Sequence, residues 1–301
     1  MSFASASPMP DPWAAWVLER RFGDPEEAVR TLEFLTPVRE RVLEGAHFEE
    51  GNVILDVGAG DGLIAFGALS LVGESGKVLF ADVSQELLDV SRELARELDA
   101  LDRCEFVLAR AEDLAPIGDA SVDVVTTRSV VIYVEEKQKA FDEFHRVLRP
   151  GGRLSIFEPI NRFAFPEPEG HYMGFDLTAV TPLVQRVKDT YDQLGGSAES
   201  TLLDFDERDL VAFAERSAFR KIELTYEAKV EHGAGAHWGS DVGWDTFLRI
   251  APNPLAPTLG EAIEALSPEE AERFVAHMRP LFEAKDGTSR SAVAYLRATK
   301  G

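Results

Sequence analysis

The chain has 301 residues, of which 45% are hydrophobic, and a formal net charge of −22 at pH 7. This size allows one large α/β domain with additions, and the acidic charge argues against a nucleic-acid partner, because such binding depends on Lys and Arg neutralising phosphates. No apolar run approaches the roughly 18 to 20 residues of a membrane span and no secretory signal is visible, so we expect no stable membrane insertion and a cytoplasmic location.

The N-terminal region predicts two helices. The first covers residues 13–22 and has two tryptophans and a valine on one face. The second starts with Asp24 as its cap and Pro25 in the first helical position, and ends at Gly45. We assign residues 1–48 as an N-terminal helical cap.

Residues 50 to 160 alternate between strand-like and helix-like segments, which is typical of a parallel sheet with helices on both faces. The helices between the strands show apolar residues at helical spacing. The predicted strands are 53–57, 76–84, 104–109, 122–127 and 153–159.

Two further strands are predicted at 220–231 and 291–298, separated from the first five by helical excursions. We therefore predict a doubly wound, Rossmann-like α/β fold with a mostly parallel seven-stranded sheet, a helical N-terminal cap and helical insertions. Residues 49–301 form the ligand-binding domain in this scheme, with cap insertions at about 160–204 and 232–288.

Residues 58–62 form a glycine-rich turn between a strand and a helix, with the spacing Gly-x-Gly-x-Gly. A dinucleotide-binding loop needs Gly-x-Gly-x-x-Gly, and its third glycine position is Leu63 here. Asp56 and Asp61 place two carboxylates beside the helix N-terminus, where they repel a pyrophosphate and attract an ammonium group. We expect a cationic ligand without a phosphate; the alternative is that the glycines serve only the tight turn.

Asp82 ends the second predicted strand, twenty residues after Gly62. An acid at this place accepts hydrogen bonds from the vicinal hydroxyls of a ribose. A ribose with a cationic amine and no phosphate describes S-adenosylmethionine, which we expect as the cofactor, with S-adenosylhomocysteine as its product.

Five stretches together resemble those of class I S-adenosylmethionine-dependent methyltransferases. They are LDVGAGDG (55–62), ADVS (81–84), AEDL (111–114), SVDVVTTR (121–128) and HRVLRPGGRL (145–154). The resemblance covers roughly Gly51 to Pro159.

The resemblance implies roles for the residues at matching positions. The glycine loop faces the methionine part of the cofactor, Asp82 binds the ribose and Val83 packs on the adenine, which the loop after the third strand flanks from the other side. The predicted cofactor-binding residues are Asp56, Gly58, Gly60, Asp61, Asp82, Val83, Ala111, Glu112 and Arg128.

Two positions depart from the pattern of relatives. Many relatives have an acid just before AED that reaches the adenine amino group, whereas Arg110 stands here and cannot accept a hydrogen bond. Glu112, a backbone carbonyl or no group takes over that contact. Arg128 is similar to an Arg of ring C-methyltransferases in the ubiquinone and menaquinone pathways, where Asn follows it, but Ser129 follows here. Arg128 lies near the methionine or forms a surface ion pair.

Methyl transfer is an in-line displacement on an activated sulfonium, so a catalytic base is optional. The predicted catalytic residues are Tyr133, after the fourth strand, and His171, in the first excursion. Tyr133 either orients or deprotonates an acceptor or forms an aromatic wall, and a surface or packing role is the alternative for His171. Glu158, near the end of the fifth strand, is expected to border the methyl donor.

Neither a metal site nor thiolate chemistry is expected. Cys104 is the only cysteine, and His232 and His237 lack helical spacing and a third ligand. The single cysteine also excludes arsenite methyltransferases, which need several. The stretch TTRSVVIY lacks the Asn/Asp-Pro-Pro-aromatic motif of DNA amino-methyltransferases.

We favour methyl transfer to a small organic acceptor as the function. A C-methyltransferase on a quinone-like or prenylated lipid, a non-catalytic S-adenosylmethionine-binding protein and a dinucleotide oxidoreductase are the alternatives, and a homodimer is compatible with the sequence. The aromatic residues that are candidates for roofing an apolar substrate pocket are Trp13, Trp16, Phe163, Tyr172, Trp238, Trp244 and Phe247.

Overall fold

The computed structural model describes residues 11–21, 25–195, 198–233, 242–254 and 256–301. Its strands are β1 (Val53–Val57), β2 (Lys77–Asp82), β3 (Cys104–Leu108), β4 (Val122–Arg128), β5 (Leu148–Pro159), β6 (His171–Tyr172), β7 (Phe175–Asp176), β8 (Phe219–His232) and β9 (Thr288–Lys300). Seven of them form one sheet in the order β3-β2-β1-β4-β5-β9-β8. The first five strands are parallel, and β9 runs antiparallel to both β5 and β8. The predicted fold class is confirmed.

Some of the helices cover the two faces of this sheet, and the others lie in the N-terminal segment and in the segments that follow β5. The helices are α1 (Pro12–Ala15), α2 (Pro25–Ala46), α3 (Leu63–Leu71), α4 (Gln85–Glu97), α5 (Lys137–Val147), α6 (Thr181–Gly195), α7 (Ala198–Leu203), α8 (Glu207–Arg216), α9 (Trp244–Phe247), α10 (Leu259–Glu264) and α11 (Pro268–Ala284). Alternate strand residues point to opposite faces: Leu55 and Val125 join the core cluster that contains residues of α5 and α8, whereas Ile54 and Val124 join the one that contains residues of α2, α3 and α4.

The carboxyl ends of the parallel strands lie at the same edge of the sheet. Asp82, Arg128 and Glu158, which are at or next to the ends of β2, β4 and β5, therefore lie along this edge. The order of the strands reverses between β1 and β4. Ligands of open α/β sheets bind at such a switch point, in the crevice beyond the carboxyl ends of the strands.

A separate hydrophobic core lies in the chain segments that follow β5. Phe175, Phe274 and Met278 are fully buried in it, and residues of β6, β7, α6, α9, α10 and α11 contribute to it. The Thr288 N–H at the start of β9 donates to the carbonyl of Gly174 at 2.9 Å and so ties this body to the large sheet. We reserve the name cap for residues 160–195 and 242–284, which do not include the N-terminal helices. The domain boundaries stated above stay a prediction.

Several element boundaries differ from the expected ones. Strand β5 begins at Leu148 rather than 153, because its register with β4 shifts between Val122 and Val124 and Gly151, at φ +78°, accommodates the irregularity. The helix expected over 13–22 is α-helical only to residue 15 and continues as a π-helical turn to Arg20. That wider turn changes the angular register of the residues after it. The second helix extends one residue past Gly45, and its expected cap, Asp24, lies outside the described residues.

Within the described ranges, no helix has both the length and the apolar character that crossing a bilayer requires.

Candidate active site

The glycine loop between β1 and α3 has a backbone that requires glycine. Gly58, Gly60 and Gly62 have φ values of +67°, +55° and +84°. A Cβ on Gly58 would lie 2.3 Å from a methyl of Val130, so the loop approaches the segment after β4 too closely for any side chain there. The N–H groups of residues 58 and 59 donate to the Ala81 carbonyl at 2.8 and 3.0 Å, which fixes the loop against β2.

Asp56 fixes the start of the glycine loop through hydrogen bonds to β4 and α3. Its side chain is buried, and it accepts a hydrogen bond from the Thr126 hydroxyl at 2.7 Å and another from the Ala65 N–H in the first turn of α3. Burial raises the pKa of Asp56 to about 7, although these hydrogen bonds and Arg128 favour the charged form. This carboxyl therefore links β1, β4 and α3 where the loop begins.

Asp82 joins the end of β2 to the glycine loop. One carboxylate oxygen accepts from the Gly60 N–H at 2.8 Å and the other from the Ser84 N–H at 2.9 Å. Burial raises the pKa of Asp82, and Asp11 adds to this by repulsion. Because each carboxylate oxygen has two acceptor positions, this geometry leaves capacity for further donors.

Val83 and residues 110–112 lie next to Asp82, at the ends of β2 and β3. Val83 is exposed although it is apolar, whereas Ala111 is buried in the core. Arg110 donates to Glu112 from Nε to Oε1 at 2.6 Å, and the Glu112 side chain is only 10% exposed. The cation that departs from the family pattern thus pairs with the acid that follows it.

The turn after β4 places Arg128 and Tyr133 at the switch point. Ser129, between them, has φ +55°, and its N–H donates to the Phe157 carbonyl at 2.9 Å. Burial raises the pKa of Tyr133 to about 12, with Glu158 adding to the rise and Arg21 and Arg128 opposing it. Tyr133 is therefore a neutral phenol at pH 7 and a hydrogen-bond donor.

Residues 11–21, which we call the strap, lie over this edge of the sheet. The rings of Trp13 and Tyr133 are in edge contact with centroids 5.0 Å apart. Ala14 and Val17 pack with Leu87 of α4. The strap thereby covers the region between the segment after β4 and the start of α4.

The strap is also bonded to the cap. The Trp16 indole N–H donates to the Ala251 carbonyl at 2.9 Å, and the Ala251 N–H donates to the Arg20 carbonyl at 3.1 Å. Arg20 forms an ion pair with Glu261 at 2.7 Å. These contacts make the strap a bridge between the large sheet and the cap.

The strap brings Arg21 to the other charged groups of the site. Burial, together with repulsion by Arg128, lowers the pKa of Arg21 to about 10, although Asp61 and Tyr133 act in the opposite direction. Four groups from three segments of the chain, namely the strap, the glycine loop and the turn after β4, therefore interact electrostatically here.

Comparison with known proteins identifies the family. A sequence profile described as "Methyltransferase domain" matches residues 55–156. The ubiquinone/menaquinone biosynthesis C-methyltransferase UbiE of Escherichia fergusonii is 33% identical over 175 residues, which cover 58% of this chain and 68% of that protein. UbiE of Escherichia coli (strain K12 / DH10B) is 32% identical with the same coverage. The chain belongs to the class I S-adenosylmethionine-dependent methyltransferases.

Solved structures share this methyltransferase fold. BH2331 of Bacillus halodurans, described as a methyltransferase, has a TM-score of 0.54 and 20% identity, covering 87% of this chain and 98% of that one. YcgJ of Bacillus subtilis has a TM-score of 0.53 and 16% identity, covering 87% and 97%. At these identities the likeness concerns the fold alone.

In this methyltransferase, most of the predicted site residues come together, but the predicted catalytic pair does not. Tyr133 lies at the switch point, whereas His171 lies in β6 of the cap. The His171 ring Nδ1 is 3.3 Å from the Glu169 carbonyl oxygen, and the ring acts electrostatically on Asp176. These contacts of His171 are within the cap, and its catalytic role stays a prediction.

The aromatic residues proposed as a roof have different places. Trp13 and Trp16 belong to the strap, and Phe163 packs against the core of the large sheet. Tyr172, Trp244 and Phe247 are buried in the core of the cap. Trp238 lies outside the described residues, as does His237.

The sequence interpretation missed two features of the methyltransferase site. Arg21 was not predicted, and its position follows from the docking of the strap. Glu158 was expected to border the methyl donor, but it is completely buried and its carboxylate accepts hydrogen bonds from the backbone of the segment after β4. Its place at the end of a strand was the available signal, whereas its partners are set by tertiary structure.

Among the described residues, His, Cys, Asp and Glu side chains form no group of three or more that could hold a metal ion.

Proposed function

We propose that S-adenosylmethionine binds across the switch point between β1 and β4. The methionine part lies at Gly58, Gly60 and Asp61, with Arg128 nearby, and the ribose lies at Asp82. The observation that carries this proposal is that Asp82 bonds directly to the Gly60 N–H, so that the glycine loop and the ribose-binding acid form one unit.

The adenine lies between Val83 and the loop that contains Ala111 and Glu112. An exposed apolar side chain at position 83 supports this placement, because an adenine ring would cover it. Glu112 receives Arg110 on Oε1, and its second oxygen is the acceptor that we propose for the adenine amino group. Arg110 then acts by holding Glu112 rather than by touching the base.

The methyl group passes to a small organic acceptor by in-line displacement. The bond from sulfur to the methyl carbon breaks as the acceptor atom bonds to that carbon, and the sulfur keeps the electron pair, leaving S-adenosylhomocysteine. The acceptor releases to water the proton that the methyl group replaces. Tyr133 orients an acceptor oxygen by donating its phenol proton in a hydrogen bond, since its raised pKa keeps it neutral. Exclusion of water by the strap supports such a transfer.

A second candidate is transfer to a ring carbon of a phenolic or quinone-like acceptor. It is favoured by the 33% identity to a protein named as a ubiquinone/menaquinone biosynthesis C-methyltransferase. A panel of phenols, naphthols, quinols and amines, assayed by S-adenosylhomocysteine release, separates the two candidates, and the mass and position of the added methyl identify the attacking atom.

The cofactor assignment is tested by calorimetric titration with S-adenosylhomocysteine, with NAD as the negative control. We expect micromolar binding of the first and none of the second. Asp82→Ala should weaken the binding by about 1–3 kcal/mol, because two ribose hydroxyls lose their acceptor. Asp89→Ala, which removes an exposed acid from the neighbouring helix α4, is the matched control and should bind as the wild type does.

Two outcomes would contradict the assignment. Wild-type protein that is folded and free of ligand but does not bind S-adenosylhomocysteine removes the cofactor proposal. An Asp82→Ala variant with wild-type affinity removes the ribose contact alone.

A cytoplasmic location and a homodimer are further proposals, and sedimentation of the purified protein tests the second.

A further inference from the structure

The turn that follows β4 carries groups for three different parts of the site. Arg128 is at its start, the Val130 side chain lies against Gly58 of the glycine loop, and Tyr133 lies against Trp13 of the strap. The chain enters this turn through Ser129 at φ +55°, a conformation that L side chains adopt only at a cost in free energy. Other interactions therefore have to hold the turn.

Glu158, on the neighbouring strand β5, provides them. One carboxylate oxygen accepts from the N–H groups of Val130 and Val131, each at 2.9 Å, and the other accepts from the N–H of Ile132 at 3.1 Å. The side chain is fully buried. Three consecutive amides thus donate to one buried carboxyl group, and loss of this acceptor would leave backbone donors unpaired.

The Glu158 carboxylate acts on the proposed cofactor site through the turn that it holds. A Cβ on Gly58 would lie 2.3 Å from a methyl of Val130, so the Val130 side chain packs directly against the glycine loop. A shift of the turn therefore changes this contact. The same shift moves the Tyr133 ring relative to Trp13.

We propose that Glu158 is a positioning residue for methyl transfer: by holding the amides of residues 130–132, it fixes Val130 against the glycine loop and Tyr133 beneath the strap. This inference rests on the cofactor site proposed above. Glu158 itself touches neither cofactor nor acceptor.

Glu158→Gln tests the proposal with little change in volume. An amide oxygen still accepts from two N–H groups, but the amide nitrogen then faces the third donor. We expect faster hydrogen exchange of the amides of residues 130–132 in the ligand-free protein, and S-adenosylhomocysteine binding weakened about tenfold or more.

Asp123→Asn is the matched control for a loss of stability alone. Asp123 accepts from the Val53 N–H at 2.7 Å, so it also bonds a carboxylate to a neighbouring backbone, but at the amino ends of β1 and β4. We expect this variant to be less stable and to bind S-adenosylhomocysteine within twofold of the wild type. If affinity falls in both variants in proportion to stability, Glu158 is structural and the proposal is wrong.

Val130→Ala provides a second test that does not depend on how well Glu158→Gln folds. It should weaken S-adenosylhomocysteine binding several-fold, and in the Glu158→Gln background it should add less than it does alone, because both changes act through one contact. Unchanged affinity in Val130→Ala, or full additivity, overturns the proposal. Wild-type protein that binds no S-adenosylhomocysteine refutes the cofactor proposal itself, and this inference with it.

Discussion

A glycine can be required because its φ is positive or because a side chain would clash with a neighbour, and three glycines of this protein distinguish the two reasons. Gly58 has a positive φ, and a Cβ added to it would also lie 2.3 Å from the Val130 methyl, whereas Gly60 and Gly151 have a positive φ with open space around them. Left-handed backbone costs an L residue about 1–2 kcal/mol. A clash with a packed neighbour adds about 1–3 kcal/mol.

We therefore expect Gly60→Ala and Gly151→Ala to lower the free energy of unfolding by about 1–2 kcal/mol, and Gly58→Ala to lower it by about 1–3 kcal/mol more. Urea denaturation measures both. Gly151 is in β5, away from the loop, so only the two loop variants should alter S-adenosylhomocysteine binding. Equal stability of Gly58→Ala and Gly151→Ala would show that the Val130 contact yields without cost.

The sequence indicated the location of those residues whose place depends only on their position along the chain. The location of Asp82 at the end of β2, beside the glycine loop, could be predicted from the order of strand and loop, whereas its contact with a ribose stays a prediction. Asp56 was placed beside the loop, but its burial against Thr126 depends on β1 and β4 being neighbours. The partners of Glu158 lie 26 to 28 residues away, so no local pattern indicates them.

Single side-chain contacts join the strap to the cap and to the turn after β4. The Trp16 indole N–H is bonded to the Ala251 carbonyl at 2.9 Å, while Leu18 in the same helical turn is 47% exposed. Trp16→Phe keeps an aromatic ring and removes this donor, a loss of about 1 kcal/mol.

We expect Trp16→Phe to open the strap more often and to speed S-adenosylhomocysteine dissociation about fivefold, as that free energy implies. Stopped-flow displacement measures the rate. Leu18→Ala is the control in the same segment and should exchange ligand at the wild-type rate. A Trp16→Phe variant that also does so would mean that the strap does not limit ligand release.

The strands of the parallel sheet could be predicted because their apolar runs end at turn residues and alternate with helices. The strap and the cap could not be placed in the same way. Tyr172 and Trp244 have the composition expected of a substrate pocket, but they fill the core of the cap, and only tertiary structure separates these two uses of an aromatic side chain.

For the molecule as a whole, two buried acids make stability depend on pH. Burial raises the pKa of Asp56 from 3.8 to about 7 and that of Glu158 from 4.5 to about 7. Between these values the folded protein binds more protons than the unfolded chain, so unfolding releases protons and a rise in pH favours it. The resulting loss of stability begins above the lower pKa values, grows as the pH rises and is complete above the raised ones.

We expect the free energy of unfolding to fall between pH 5 and pH 8 by an amount on the order of 2 kcal/mol per group, since one pKa unit corresponds to about 1.4 kcal/mol. Asp56→Asn keeps an oxygen for Thr126 and cannot ionise, so the fall should be smaller, and it should be smallest in the double variant with Glu158→Gln. Urea denaturation at pH 5, 6, 7 and 8 measures the slope. A slope that is the same in the wild type and the double variant would assign the pH dependence to other groups.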